Sequence, residues 1–99
     1  SLPMNSMGLF GLHMITAGVL EGESHIRREN GSYKHLCTQD DRLMGYILVG
    51  DVERAGIYTS LIRDQVPLHT LDFALMLEKP QLMAFSKRDR QIRLGGQRL

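Results

Sequence analysis

The sequence contains a single cysteine, Cys37, among its 99 residues. One thiol excludes an internal disulfide and a redox-active cysteine pair, and it is compatible with a reducing cytoplasm, where we expect the protein to reside. No apolar stretch reaches the roughly 18–20 residues that a membrane-spanning helix needs, and no secretory signal peptide is recognisable. We therefore expect no membrane partner. The chain does not begin with Met. We therefore expect it to be an excised fragment of a longer protein.

Net charge is also nearly absent, at +1, so bulk charge favours neither nucleic acid nor a membrane surface as a partner. The charge is nevertheless uneven, because residues 86–99 carry +4 and leave −3 on the other 85 residues. We predict a basic tail that is mobile or engages an acidic partner weakly, through the candidate docking residues Lys87, Arg88, Arg90 and Arg93. The alternative is a solvated terminus without a partner.

The remaining composition is typical of one soluble globular domain, with 42% hydrophobic and 23% charged residues. We place this domain at residues 1–85. Its clearest segment is the apolar run 43–49, which predicts a central strand buried on both faces. The run ends at Gly50 and Asp51, and we expect Asp51 to cap the helix that follows. Apolar residues then recur at helical spacing at Ile57, Tyr58, Leu61 and Ile62. We assign structural roles to Gly50, Asp51, Ile57, Tyr58 and Leu61.

The flanking segments complete an α+β pattern. Residues 11–20 predict a strand, and Asn30-Gly31 predicts a type I′ hairpin between strands at residues 25–29 and 32–38. Residues 3–10 read as irregular or briefly helical, and residues 70–79 read as a second helix that Pro80 ends. The predicted fold is a small antiparallel sheet of three to four strands in a meander, followed by two helices packed on one face.

Candidate catalytic and metal-binding groups are scattered. The four histidines, His13, His25, His35 and His69, show no metal-motif spacing with one another or with Cys37. His13 and His35 could approach each other across strands, but the pattern does not decide this. The charged run from Asp40 to Arg42 is typical of a hairpin turn, and one glycine at position 50 does not form a phosphate loop. We therefore predict no catalytic, cofactor-binding or metal-ligating residue.

Several motifs together resemble a known family. They are the run from Leu43 to Asp51 (LMGYILVGD), then AGIY at 55–58 and LI at 61–62, preceded by PMNS at 3–6, Gly8, Gly11 and TAG at 16–18, and followed by PQLMAF at 80–85. The chain is similar, over residues 3–85, to the C-terminal domain of flavin-dependent pyridine nucleotide–disulfide oxidoreductases. The branch it resembles includes NADH:rubredoxin oxidoreductases and the large subunit of assimilatory nitrite reductase.

This resemblance implies a parent protein with upstream FAD-binding and NAD(P)H-binding domains, and it implies dimerisation or docking of a redox partner such as rubredoxin for the domain itself. Because no dinucleotide fingerprint lies within these residues, we expect the isolated domain to bind no cofactor and to be inactive. A domain cut from a larger flavoprotein should expose apolar surface. The candidate interface residues are Met4, Met7, Leu9, Phe10, Leu82, Met83 and Phe85.

Two alternatives remain open at this level. The chain could be a self-contained protein-binding module with no redox role that uses its sheet face or its basic tail. A small enzyme is the third possibility, and the lack of a nucleophile–base pair or a metal cluster argues against it.

Overall fold

The structure is a computed structural model, and it describes residues 4–9 and 11–83. Five strands come first: β1 (Met4–Leu9), β2 (Leu12–Gly18), β3 (Glu23–Glu29), β4 (Ser32–Gln39) and β5 (Arg42–Val49). They are followed by α1 (Ala55–Arg63), a 3-10 turn (Leu68–Thr70) and α2 (Phe73–Glu78). The α+β class is confirmed.

All neighbouring strands are antiparallel, in the order β1-β2-β5-β4-β3. The predicted meander is β3-β4-β5, and the hairpin of β1 and β2 adds to the other edge of β5. The sheet therefore has five strands rather than three to four. The additional strand, β1, was predicted to be irregular or helical. It is held by pairing with β2 from Met4↔Ala17 to Leu9↔Leu12, so the neighbouring strand of the hairpin decides the structure of a segment whose own pattern is weak.

The core lies between the sheet and the helices. Leu36 and Tyr46 are fully buried and Leu48 is 1% exposed, and all three belong to one apolar cluster with Tyr58 and Leu61 of α1. The prediction that β5 is buried on both faces was wrong for the second face. Ile47 and Val49, which alternate with Tyr46 and Leu48, are only half-buried, because no described helix covers their side of the sheet.

The predicted cap of the first helix was also wrong. Helix α1 begins after Arg54, which makes no side-chain capping bond, and the nearest contact of Asp51 is a long one of 3.4 Å from its Oδ1 to the amide of Glu53. Asp51 lies too far before the helix to satisfy its first amides. The capping aspartate is instead Asp72, which accepts a hydrogen bond from the amide of Leu75 at the start of α2.

Two hairpin turns fix the sheet register, and the type I′ geometry predicted for the first was wrong. The Asn30-Gly31 hairpin is present, but φ is positive only at Gly31, so the turn is not type I′. Asp40 and Asp41 both adopt positive φ, 54° and 64°, in the two-residue turn between β4 and β5. The second helix is shorter than residues 70–79 because Leu71 is extended between the 3-10 turn and α2.

Candidate protein-interaction face

One face of the sheet carries α1 and α2, and the opposite one, which we call the open face, carries no described helix. Strand alternation and register assign the side chains to the two faces. The described side chains of the open face are those of Asn5, Leu12, Met14, Thr16, Ser24, Ile26, Arg28, Tyr33, His35, Cys37, Ile47 and Val49.

The open face is apolar at its centre. Met14, Ile47, Val49 and Ile26 are half-buried by their cross-strand neighbours, and Leu12 is 40% exposed. Among the described open-face side chains named above, only Arg28 carries a full charge, and its guanidinium lies 5.5 Å from the centre of the Tyr33 ring. A face of this composition can bury apolar area at little electrostatic cost.

His35 organises the polar part of the open face. Its Nε2 lies 3.0 Å from Ser24 Oγ and 3.4 Å from Cys37 Sγ, and its Nδ1 lies 3.5 Å from the Tyr33 hydroxyl. Cys37 is 1% exposed, and no described carboxylate orients the imidazole. The group therefore lacks the exposed, activated nucleophile that covalent catalysis needs. It is a hydrogen-bonded patch on the open face.

The other histidines do not add a site. His13 lies on the helix side of the sheet, so it does not approach His35. His25 contacts Thr38 Oγ1 at 3.0 Å and meets the Phe73 ring edge-on, and His69 Nδ1 lies 2.5 Å from Asp41 Oδ2. The His69 hydrogen bond holds the pKa of Asp41 below its usual value. Among the described residues, no group of three or more His, Cys, Asp and Glu side chains could hold a metal ion.

A second polar cluster lies on the helix side. Lys34 Nζ donates to the Tyr58 hydroxyl at 2.9 Å and to the carbonyl of Leu77 at 2.7 Å, and the Tyr58 hydroxyl donates to the carbonyl of Met76 at 2.7 Å. Burial lowers the pKa of Lys34 and raises that of Tyr58. These hydrogen bonds all end on protein acceptors, so the cluster joins α2 to the sheet.

The interface candidates predicted from the sequence either lie away from the open face or fall outside the part of the chain that the structure describes. Met4 is half-exposed on the helix side, where its Sδ accepts a hydrogen bond from Thr59 Oγ1 at 3.5 Å. Leu82 is 43% exposed, and Met83 packs against the core. Outside the described part of the structure lie the side chains of Met7 and Leu9, the residues Phe10 and Phe85, and the tail residues Lys87, Arg88, Arg90 and Arg93.

The open face was not identified from the sequence. Its signal was present, because Leu12, Met14 and Thr16 alternate with a second, apolar set along β2. Tyr33, His35 and Cys37 likewise alternate with a second set of mixed polarity along β4. Alternation alone does not say which face the helices cover, and that assignment separates a core from an interface.

The described residues thus form a five-stranded α+β domain with helices on one face of the sheet and an apolar centre on the other. The chain belongs to the family described as the rubredoxin NAD+ reductase C-terminal domain, whose profile matches residues 3–66. This match confirms the resemblance drawn from the sequence, and it identifies the chain as an accessory domain of a reductase. No curated protein matches the chain. No helix among the described residues is long and apolar enough to cross a membrane.

Proposed function

We propose that this chain is the C-terminal accessory domain of a cytoplasmic, FAD-dependent NAD(P)H oxidoreductase, and that the open face is the surface through which it packs against the rest of that protein. The observation that carries the proposal is the asymmetry of the sheet. Tyr46 and Leu48 belong to the buried cluster that includes Tyr58 and Leu61 of α1, whereas Ile47 and Val49, which alternate with them along β5, are only half-buried on the face that carries no described helix.

The size of the open face fits an interface between domains. Five strands about 4.8 Å apart and about seven residues long, at ~3.3 Å per residue, span a face of roughly 550 Å². Interfaces between domains of one chain bury about 600–1,500 Å² in total, which is ~300–750 Å² on each side. A face of this area, with Arg28 at its edge strand, can form such an interface without burying an unpaired charge at its centre.

Redox chemistry in the proposed assembly belongs to FAD and NAD(P)H, which the upstream domains of the parent protein would bind. This domain supplies shape and contact. Residues 1–85 form the packing unit, which serves dimerisation or the docking of a small electron carrier of the rubredoxin type. Residues 86–99 form a basic tail. Its candidate residues Lys87, Arg88, Arg90 and Arg93 would steer an acidic partner of this kind.

The test compares two charge substitutions in the whole polypeptide encoded by the gene. Ile47→Glu places a carboxylate at the centre of the open face, and Arg63→Glu places one on the exposed end of α1. We expect Ile47→Glu to lower the rate of NADH-dependent rubredoxin reduction or the fraction of dimer in sedimentation. Arg63→Glu should match the wild type in both measurements.

Two results would contradict the proposal. The first is an Ile47→Glu protein that matches the wild type in activity, FAD content and association. The second is a reading frame that encodes no flavin-binding domain upstream, which would support a self-contained binding module with no redox role.

A further inference from the structure

The segment from Pro67 to Met83, which we call the strap, follows the part of the chain that matches the family. It contains the 3-10 turn and α2, and residues 80–83 are again helical. It contributes Leu68, Met76 and Leu77 to the same buried cluster as Leu36 and Tyr58. The strap therefore completes the core on the helix side of the sheet.

Polar contacts hold the strap at both ends. At its start, Asp41 accepts hydrogen bonds from two backbone amides of the strap, that of Leu68 to its carbonyl at 2.8 Å and that of His69 to Oδ1 at 3.0 Å. At its far end, Arg27 of β3 forms an ion pair with Glu78. All of these contacts come from residues of the family-matched part, so the sheet and its turns hold the strap in place.

A third connection lies at the C-terminal end of α2. The last carbonyls of any helix lack partners within it. In α2, the carbonyl of Met76 accepts its hydrogen bond from Tyr58 of α1, and the carbonyl of Leu77 accepts from Lys34 of β4. Lys34 is a cation at the negative end of the helix, and its Nζ lies 5.2 Å from the centre of the Tyr58 ring.

Helix α2 depends on this connection. It has six residues, and helices much shorter than about 12 residues are not stable on their own in water. The position of α2 therefore depends on contacts outside the helix, namely the burial of Met76 and Leu77 and the hydrogen bonds from Lys34 and Tyr58. The strands, in contrast, are joined by ladders of backbone hydrogen bonds in which no residue of the strap takes part.

We propose that the strap opens as a unit while the sheet and α1 stay folded, and that Lys34 and Tyr58 form the latch that keeps it closed. Opening uncovers the apolar groove around Leu36 between α1 and β4, on the side of the sheet opposite the open face. The proposal is independent of the proposed function, because it concerns a different surface and an equilibrium within this chain.

Amide hydrogen exchange in the 99-residue chain tests the latch. The probes in the strap are the amides of Met76 and Lys79, which bond to the carbonyls of Asp72 and Leu75, and the probe in the sheet is the amide of Leu48. Lys34→Met removes the donor and keeps much of the apolar stem. We expect exchange at the strap probes to become about tenfold faster or more, which is a loss of about 1.4 kcal/mol or more of protection. Exchange at Leu48 should change less than twofold.

Lys79→Met is the matched control, because it removes an exposed lysine of the strap whose side chain makes no described hydrogen bond. It should leave all probes within twofold of the wild type. Tyr58→Phe removes the second donor and should accelerate the strap probes in the same way, so the test does not depend on one variant. The proposal is overturned if strap and sheet probes accelerate together, or if neither latch variant changes strap exchange.

Discussion

Adjacent residues of β5 offer a direct test of the asymmetry of the sheet. Leu48 is 1% exposed in the core cluster, whereas Ile47 is half-buried on the open face. Replacement of a buried leucine by alanine removes apolar burial and leaves a cavity, at a cost of about 2–5 kcal/mol. We predict this cost for Leu48→Ala. Ile47→Ala deletes a similar number of carbon atoms from a site that already faces solvent, and it should cost roughly 1 kcal/mol.

Urea denaturation of the 99-residue chain, followed by far-ultraviolet circular dichroism, measures both free energies of unfolding. In a domain of this size 1 kcal/mol corresponds to about 4–8 °C in Tm, so Leu48→Ala should melt about 10 °C or more below the wild type. Both variants should retain the wild-type dependence of unfolding free energy on urea concentration. Equal losses of stability for the two variants would refute the assignment of Ile47 to an uncovered face.

Three further predictions concern the turns and caps. Asp72→Ala should lower the free energy of unfolding by about 0.5–2 kcal/mol through loss of the α2 cap, and Asp51→Ala should lower it by less. A larger loss for Asp51→Ala in urea melts would show that Asp51 caps α1 after all. Gly50→Ala should cost about 1–3 kcal/mol because φ is 86° and an added Cβ would overlap the carbonyl oxygen of Gly31; a wild-type urea midpoint would contradict this. Because the folded pKa of Asp41 is depressed, its ionisation stabilises the fold above the ordinary value of 3.8, and this contribution is lost as the pH falls through the folded value. The Asp41→Asn variant should therefore be less stable than the wild type near neutral pH, and the difference between the two should shrink as the pH falls below roughly 4. A difference in Tm that stays constant across that pH range would argue against the His69 contact.

The sequence was most informative where the local pattern and the tertiary environment agree. The run 43–49 predicted β5, and the spacing of Tyr58 and Leu61 predicted α1. In both segments the local pattern of apolar residues already indicates the element that the segment adopts in the fold. Pairing of β1 with β2 was missed, since residues 4–9 contain Gly8 and polar residues and become a strand only beside a partner.

Features that depend on exact spacing or on neighbours were not predictable. Asp51 has the chemistry of a cap, but three residues separate it from Ala55, and the helix starts too late for it. The latch between Lys34, Tyr58 and α2 joins positions up to 43 residues apart in sequence, and no local motif indicates it. Likewise, the alternation of β2 and β4 identified two sets of residues without showing which set the helices would cover.

Oxidative footprinting of two methionines tests the central claim most directly. Met14 lies on the open face, and Met44 lies on the helix side beside Ile62 and Gln65; both side chains are half-buried in this chain. The whole reductase polypeptide and the 99-residue chain would be exposed to the same pulse of hydroxyl radicals, and sulfoxide formation at each methionine would be quantified by mass spectrometry. The account predicts that Met14 is oxidised several-fold more slowly in the whole polypeptide while Met44 reacts equally in both. Equal oxidation of Met14 in the two proteins would show that the open face is not the packing surface.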